Sequence, residues 1–425
     1  MTILFSVLAL LLAVAGAPVF ALMGGSALYL FHAAESADPG QSVIIELMRL
    51  ATMPSLISIP LFTFAGYVLA ESGAPKRLVD LAEALFGWMP GGVAIAGLFA
   101  CALFTAFTGA SGVTIIALGG LIHPLLRKQR YPEDFSLGLV TTTGSLGLMF
   151  PPSLPIILYA LVGKVSLDRL FAASAVPGAV LLLILSGYAV FIAGRHKVPR
   201  VAFTGQALRT ALRAAAWEIP LPFLIVGGIY SGKFTASEAA AVMSAYVVFV
   251  EVFVYRDLKT CDLPGVMTRS MMLVGAIMIV LGTALGLTSY MIDAEIPSRL
   301  FELLSAHIKT PWPFLALLNV FLLIINMVEI FSAIIIVVPI IVPVALQYGI
   351  DPIHLGTLFL LNLELGYMTP PLGLNLFLSS RRFNKPLPEL YRATLPYWLI
   401  VLGALLLVTY VPRLSLWLPD LLHIQ

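Results

Sequence analysis

The chain is 425 residues long, 60% hydrophobic and 11% charged, and its mean hydropathy is +1.00. Soluble domains carry about 25% charged residues, so the composition excludes a soluble globular protein and predicts an all-α protein that crosses a membrane several times. The formal net charge of +2 is too small to indicate a nucleic-acid partner. The two cysteines, Cys101 and Cys261, fit neither a disulfide framework nor a metal-ligand cluster.

Apolar runs predict the membrane spans in chain order. The first run has no basic region before it, and its apolar character continues past a stretch that resembles a signal-peptide cleavage site. We therefore predict a retained transmembrane helix rather than a removed signal peptide. The predicted spans lie near 3–24, 55–71, 166–193, 215–231, 236–255, 264–290 and 388–411.

The distribution of basic residues predicts the orientation of the chain. With a cytoplasmic N-terminus, most of the 24 lysines and arginines fall on cytoplasmic flanks, as the positive-inside rule expects. This bias holds only if 91–126 and 311–346 each enter and leave the membrane on the same side. The sequence therefore predicts two re-entrant helical hairpins.

An internal repeat relates the two halves of the chain. At one common separation of 219 residues, Gly147 matches Gly366 and Pro151-Pro152 matches Pro370-Pro371. At the same separation Pro124 matches Pro343, and Pro177 matches Pro396. The loop "RKQRYPED" is basic, whereas its counterpart "QYGIDPIH" has no Lys or Arg, so the halves are predicted to have opposite orientations. Inverted repeats with paired Gly/Pro interruptions are typical of secondary-transporter binding sites.

Each Pro-Pro pair predicts a helix broken within the membrane. Proline has no amide hydrogen, so the carbonyls of Gly147 and Leu148 are predicted to lose their donors and to suit a small cation such as sodium. The half-helix that starts near Pro152 turns amides and the positive end of its dipole toward the same gap, which suits an anion.

Polar side chains cluster at the predicted hairpin tips and breaks. Each has a plain structural alternative, because serine and threonine in membrane helices usually bond to a carbonyl one turn back. An acidic residue within the membrane is a candidate for a functional role by default. For Glu329 a functional and a purely structural role are given equal weight. For Glu364 a structural role is preferred, either near an aqueous mouth or paired with a polar neighbour. The polar residues are Thr108, Ser111 and Thr114 at the first tip, Asn326, Glu329 and Ser332 at the second, and Thr141, Thr142, Thr143, Ser145, Asn362, Glu364, Thr369 and Asn375 in the broken helices.

Four motifs resemble the large membrane subunit of tripartite ATP-independent periplasmic (TRAP) transporters. They are "FTGASGVTIIALG", "GSLGLMFPPSLPIILYA", "FSAIIIVVPIIVPVA" and "LGYMTPPLGLNLFL", and the resemblance covers essentially the whole chain. It implies sodium-driven import of organic acids by an elevator motion in a bacterial inner membrane. It also implies two partners, a small four-helix membrane subunit and a periplasmic substrate-binding protein. No four-helix extension flanks the matched region, so the small subunit is expected as a separate chain. The pattern is more distantly similar to sodium-coupled dicarboxylate elevator transporters.

The resemblance also implies where sodium, the one expected cofactor and metal, binds. The first site is expected at Ser111, Gly144, Gly147 and Phe150, and the second at Asn326, Gly366, Thr369 and Pro370. Many relatives have a glycine-containing second tip with Asp, whereas this chain reads "IINMVEIF", which leaves the carbonyl donor open and makes Glu329 the candidate for the acidic position. The substrate anion is expected between the tips, at Thr108, Thr114, Ser145, Pro152, Ser153, Glu329, Ser332 and Asn375.

The predicted domains follow from this assignment. The mobile transport unit comprises 91–163 and 311–380, and the scaffold comprises 1–90, 164–310 and 381–425. Proton coupling through Glu329 and a stand-alone dicarboxylate or anion transporter without a binding protein remain alternatives. An intramembrane enzyme is disfavoured, because the spans lack paired aspartates and a His-Glu-x-x-His motif. A non-transporting subunit of an ion-pumping complex is disfavoured by the duplicated hairpins.

Overall fold

The computed structural model describes residues 8, 11–12, 16–34, 39–325, 330–371 and 373–422. Within these ranges the secondary structure is helical, without any strand, and most loops are short. The helices are α1 Val19–Ala33, α2 Pro39–Ala51, α3 Ser58–Glu71, α4 Ala74–Phe86, α5 Gly92–Thr108, α6 Ser111–Ala117, α7 Gly119–Lys128, α8 Glu133–Leu146, α9 Leu154–Gly163, α10 Leu167–Arg195, α11 Gly205–Ala214, α12 Pro220–Tyr230, α13 Ala236–Phe249, α14 Leu263–Asp293, α15 Ile296–Ser305, α16 Pro311–Ile325, α17 Ile330–Gln347, α18 Pro352–Gly366, α19 Leu374–Phe383, α20 Leu387–Tyr410 and α21 Arg413–Leu421. Short 3₁₀ turns at Pro54–Ile57 and Gly147–Met149 and a π-helical turn at Val250–Val254 adjoin α3, α8 and α13.

Six helices in the described ranges are long and apolar enough to cross a membrane. Five of them confirm the spans predicted near 55–71, 166–193, 236–255, 264–290 and 388–411. The sixth, Ile330–Gln347, is the second arm of the second predicted hairpin. The protein is therefore a multi-pass helical membrane protein.

Two predicted spans are wrong in their extent. The chain is not helical at Ala17 and Pro18, and α1 begins only at Val19, so 3–24 is not one helix. Gly16 has φ +84°, a left-handed conformation that ends a helix readily. The span predicted at 215–231 is reduced to α12, because Pro220 begins the helix where a missing amide is tolerated. Residues 1–7 lie outside the described ranges.

The repeat is visible in the helix boundaries. In the first half α5, α8 and α10 begin at Gly92, Glu133 and Leu167, and in the second half α16, α18 and α20 begin at Pro311, Pro352 and Leu387. We call α5–α7 hairpin 1, α16–α17 hairpin 2, α8–α9 broken helix 1 and α18–α19 broken helix 2. The second arm of hairpin 1 is divided at Leu118, before two glycines that weaken a helix.

A line of polar contacts joins the two halves along α8, α19 and the residues directly after α19. Lys385 Nζ lies 2.6 Å from Glu133 Oε1, Thr141 Oγ1 donates to Ser379 Oγ at 2.9 Å, and Asn375 Nδ2 donates to Ser145 Oγ at 2.8 Å. Residue numbers rise along one helix as they fall along the other, so α8 and α19 run antiparallel. We call this contact the seam.

A network of charged side chains fastens α4 to the segments that flank α12 and α13. Arg77 of α4 binds Glu218, Glu251 at 2.8 Å and Asp257 at 2.6 Å. Its guanidinium carbon also lies 3.8 Å from the ring centroid of Tyr255. Burial lowers the pKa of the Arg77 guanidinium, but the hydrogen bonds to Asp257 and Glu218 outweigh this effect and raise the pKa above its usual value. Arg77 therefore stays charged and holds α4 against α13 and the segment before α12.

Candidate functional site

Both helix breaks occur where the double prolines predicted them. Broken helix 1 leaves α8 through a 3₁₀ turn at Gly147–Met149 and resumes at Leu154, and its two parts are bent by 43°. Broken helix 2 leaves α18 at Gly366 and resumes at Leu374. Proline cannot supply the amide that would continue either helix. The Pro151-Pro152 and Pro370-Pro371 peptide bonds are cis.

The tip of hairpin 1 lies against broken helix 1 and α3. Gly109 turns the chain with φ +63°, and a Cβ there would lie 2.6 Å from Cγ of Leu154, the first residue of α9. A Cβ on Gly66 of α3 would lie 2.6 Å from the carbonyl oxygen of Phe107. Only glycine permits these approaches of backbone to backbone and side chain, so the tip meets the break as predicted.

Thr105 links the residues predicted for the first sodium site. Its Oγ1 lies 2.8 Å from Thr114 Oγ1 across hairpin 1 and donates to the Gly144 carbonyl oxygen at 3.1 Å. A Cβ on Gly144 would lie 3.4 Å from the Ser111 carbonyl oxygen, and one on Gly147 would lie 2.5 Å from Thr105 Cβ. The structure therefore gathers Ser111, Gly144 and Gly147 around Thr105. Thr105 was not among the predicted site residues; a hydroxyl one turn before the tip, inside an apolar run, was the available signal.

The carbonyls of break 1 are not without donors, and that prediction is wrong. The Gly147 carbonyl oxygen accepts a hydrogen bond from Phe150 N at 3.0 Å. The Leu148 carbonyl oxygen accepts one from Ser153 Oγ at 2.6 Å. A carbonyl oxygen has two lone pairs, so each retains one for a further ligand. Ser153, predicted as a substrate ligand, uses its hydroxyl here.

The second predicted sodium site is described only in part. Asn326 and Glu329 lie outside the described residues, and Ser332 is half-buried near the start of α17. Thr369 Oγ1 donates to the Leu365 carbonyl oxygen at 2.8 Å and accepts from Trp398 Nε1 at 2.9 Å. The Gly366 carbonyl oxygen accepts from Thr369 N at 3.1 Å, while Pro370 is exposed. Trp398 of α20 was also missed, because such a long-range contact leaves no local sequence pattern.

The residues predicted for the anion are buried in this conformation. Asn375 and Ser145 are brought together in the seam, and Asn375 Nδ2 also donates to the Thr141 carbonyl oxygen at 3.0 Å. Thr108 is fully buried and its hydroxyl has no hydrogen-bond partner among the described residues. The arrangement must open before a solute reaches these groups. The predicted residues without exposure are Thr108, Thr114, Ser145, Ser153 and Asn375, and Pro152 is buried with them.

Glu364 has the second of the two surroundings expected for it, a polar neighbour, but not the first. It is 1% exposed, so it does not lie at an aqueous mouth, and neither carboxyl oxygen has a hydrogen-bond partner among the described residues. The Ser145 hydroxyl is the polar side-chain group that interacts with it. Asn362, two residues earlier and on the opposite side of α18, donates to Asn319 Oδ1 at 2.8 Å, and Asn319 donates to Thr409 Oγ1 at 2.9 Å. Asn362 thus ties α18 to hairpin 2 and α20.

The family model for "Tripartite ATP-independent periplasmic transporter, DctM component" matches residues 5–414. The chain is 39% identical over 389 residues to a C4-dicarboxylate TRAP transporter large permease protein, DctM, of Pseudomonas aeruginosa, covering 91% of each chain. It is 30% identical over 369 residues to an ectoine/5-hydroxyectoine TRAP transporter large permease protein, UehC, of Ruegeria pomeroyi, covering 86% of each. It is 32% identical over 424 residues to an isethionate TRAP transporter permease protein, DctMQ, of Oleidesulfovibrio alaskensis, covering 98% of this chain and 66% of that one.

A likeness among solved structures bears on the fold alone. The YdaH transporter of Alcanivorax borkumensis, described as having an unusual topology, matches with a TM-score of 0.60 at 14% identity. The match covers 87% of this chain and 86% of that one. The helical architecture built above therefore occurs in a known transporter fold.

Proposed function

The chain belongs to the DctM-component family of tripartite ATP-independent periplasmic transporters, and on that premise we propose that it is the large membrane subunit of a sodium-coupled importer of small organic acids. The observation that carries this proposal is the meeting of a hairpin tip with a helix break. Hydroxyls and main-chain oxygens converge around Thr105, Ser111 and Gly144, and hard oxygen donors of this kind suit a small cation.

The substrate class follows from the relatives and from the chemistry of the buried donors. Relatives are named for C4-dicarboxylates, ectoine and isethionate. At the first tip and break 1 the proposed donors to a carboxylate are hydroxyls and the backbone amides at the start of α9. They are not the charged side chains of arginine or lysine. Sodium bound nearby offsets the cost of burying an anion, which accounts for coupling between the two.

An elevator motion of one rigid unit is the proposed mechanism. The seam joins 91–163 to 311–380 through hydrogen bonds at both Thr141 and Asn375, so these parts move together. The remaining regions, 1–90, 164–310 and 381–425, form the scaffold. Sodium binding orders the tips and closes the site, and the loaded unit then moves past the scaffold.

The proposed setting is a bacterial inner membrane with a cytoplasmic N-terminus. A small four-helix membrane subunit and a periplasmic substrate-binding protein are the proposed partners. The support is the family itself and the fact that the isethionate relative is longer than this chain, which covers 66% of it.

Uptake into proteoliposomes tests the proposal. We expect organic-acid uptake that requires an inward sodium gradient and the substrate-binding protein. Ser111→Ala and Thr369→Ala each remove one oxygen ligand, so the sodium concentration for half-maximal uptake should rise about tenfold, equivalent to about 1.4 kcal/mol. Thr210→Ala, in the exposed surface of α11, is the matched control. Sodium-independent uptake, or unchanged sodium dependence in both variants, contradicts the site.

A further inference from the structure

Glu364 and Ser145 are matched positions of the internal repeat. Each lies two residues before the glycine that ends its half-helix, Gly366 or Gly147, so the repeat relates them at its common separation. The Ser145 hydroxyl nevertheless interacts with the Glu364 carboxyl. In an inverted repeat, matched residues approach one another only near the pseudo-two-fold axis, which lies in the membrane plane. The pair therefore lies near mid-depth.

Three oxygen atoms without partners belong to the two side chains that adjoin Ser145. Both carboxyl oxygens of Glu364 and Oδ1 of Asn375 are buried and have no hydrogen-bond partner among the described residues. The amide group of Asn375 is oriented by its donations to the Thr141 carbonyl oxygen and to Ser145 Oγ, so Oδ1 is the atom left over. Buried polar atoms are nearly always paired, and three unpaired oxygens on neighbouring side chains indicate a missing electropositive partner.

The protein supplies no positive charge to Glu364. No lysine, arginine or histidine in the described part of the chain pairs with this carboxylate. A charge buried near the middle of a membrane without a partner is costly. A bound cation removes that cost, and a single carboxylate is neutralised by a monovalent cation.

We propose that Glu364, Ser145 and Asn375 form a sodium site in addition to the two at the hairpin tips. The donors are two carboxylate oxygens, an amide oxygen and a hydroxyl, a hard all-oxygen set without the nitrogen or sulfur that transition metals prefer. The site rests on the proposed sodium coupling, but it is built from side chains of both halves at the seam. An ion bound there joins α18 and α19 to α8, so the transport unit becomes rigid when it is loaded.

Equilibrium binding of ²²Na⁺ to the purified full-length protein in its native assembly tests this site. Glu364→Gln keeps the shape of the side chain and removes its charge, and we expect the sodium bound at saturation to fall by one ion per chain. Glu302→Gln, in the exposed surface of α15, is the matched control and should bind as many ions as the unaltered protein. Ser145→Ala should shift the midpoint of one binding phase about tenfold upward.

The outcomes separate this site from the tip sites. If Ser111→Ala and Thr369→Ala alter sodium binding but Glu364→Gln and Ser145→Ala do not, the proposed function stands and this inference is overturned. If Glu364→Gln leaves the ion count unchanged but abolishes a pH dependence of uptake, the carboxyl carries a proton and the sodium site is overturned. If the unaltered protein binds no sodium, the proposed function fails and this inference with it. Should Glu364→Gln not fold, Ser145→Ala decides alone.

Discussion

The first break of the repeat lies inside the protein, whereas the second reaches its surface. Pro152 is buried and Pro151 half-buried, while Pro370 and Pro371 are exposed. Gly147 lies so close to α5 that a Cβ would be 2.2 Å from the Ala102 carbonyl oxygen. The same backbone plan is therefore present in a closed and an open form within one molecule, the asymmetry that an inverted-repeat transporter needs in order to expose one side at a time.

The arms before the two hairpins differ in the same way. Arg77 of α4, in the stretch "APKRL" at 74–78, is held by three acids. Arg299 of α15 has the same position in the similar stretch "IPSRL" at 296–300, 222 residues later, but it is exposed and forms no ion pair with any described residue. The duplication has kept the helices and varied the side chains that fasten them. The helix that precedes hairpin 1 is fastened by buried charge, whereas the helix that precedes hairpin 2 has no such ion pair at Arg299 among the described residues.

Removal of Arg77 is expected to give the largest effect. Arg77→Ala leaves Glu218 and Glu251, which are 2% and 0% exposed, without their counter-charge. Loss of one partner of a buried ionic network costs about 3–5 kcal/mol. Thermal unfolding in detergent measures the loss, and Arg299→Ala, the matched position in the other half, should stay within about 0.5 kcal/mol. Equal effects of the two variants contradict the comparison.

A smaller effect is expected from filling the closed break. Gly147→Ala places a methyl group against the Ala102 carbonyl oxygen and Thr105. Because the backbone of α5 cannot move aside without a large energetic cost, we expect overpacking to lower the stability by about 1–3 kcal/mol. Gly194→Ala in α10 meets nothing within 4 Å and should be neutral or stabilising by up to about 1 kcal/mol, because alanine favours a helix. Thermal unfolding measures the stability of both variants. We expect Gly147→Ala to be less stable than Gly194→Ala, and the opposite order contradicts the prediction.

Local chemistry made part of this structure predictable. The breaks follow from Pro151-Pro152 and Pro370-Pro371, because the lack of an amide hydrogen interrupts a helix locally, at the proline itself. The matched glycine and proline positions predicted the repeat. Hydropathy placed five spans but not the helix ends at Val19 and Pro220, because proline and glycine stop a helix inside an apolar run without changing its mean hydropathy. The burial of Glu364 could not be predicted from the sequence, because it depends on which helices pack together. The hydrogen bond from the Ser153 hydroxyl to the Leu148 carbonyl oxygen could not be predicted either, because it depends on the path of the chain through the break.

The smallest expected effect concerns the second break and its contact with α20. Trp398 Nε1 donates to Thr369 Oγ1, so Trp398→Phe keeps most of the ring packing and removes one hydrogen bond, a loss of about 0.5–1.5 kcal/mol. Because Thr369 is a proposed ligand, we also expect a rise in the sodium concentration for half-maximal uptake that is smaller than the rise for Thr369→Ala. Trp417→Phe, at a 57% exposed position, is the control. If Trp398→Phe and the control give the same sodium dependence, the indole does not position the Thr369 hydroxyl, and the second break holds its geometry without α20.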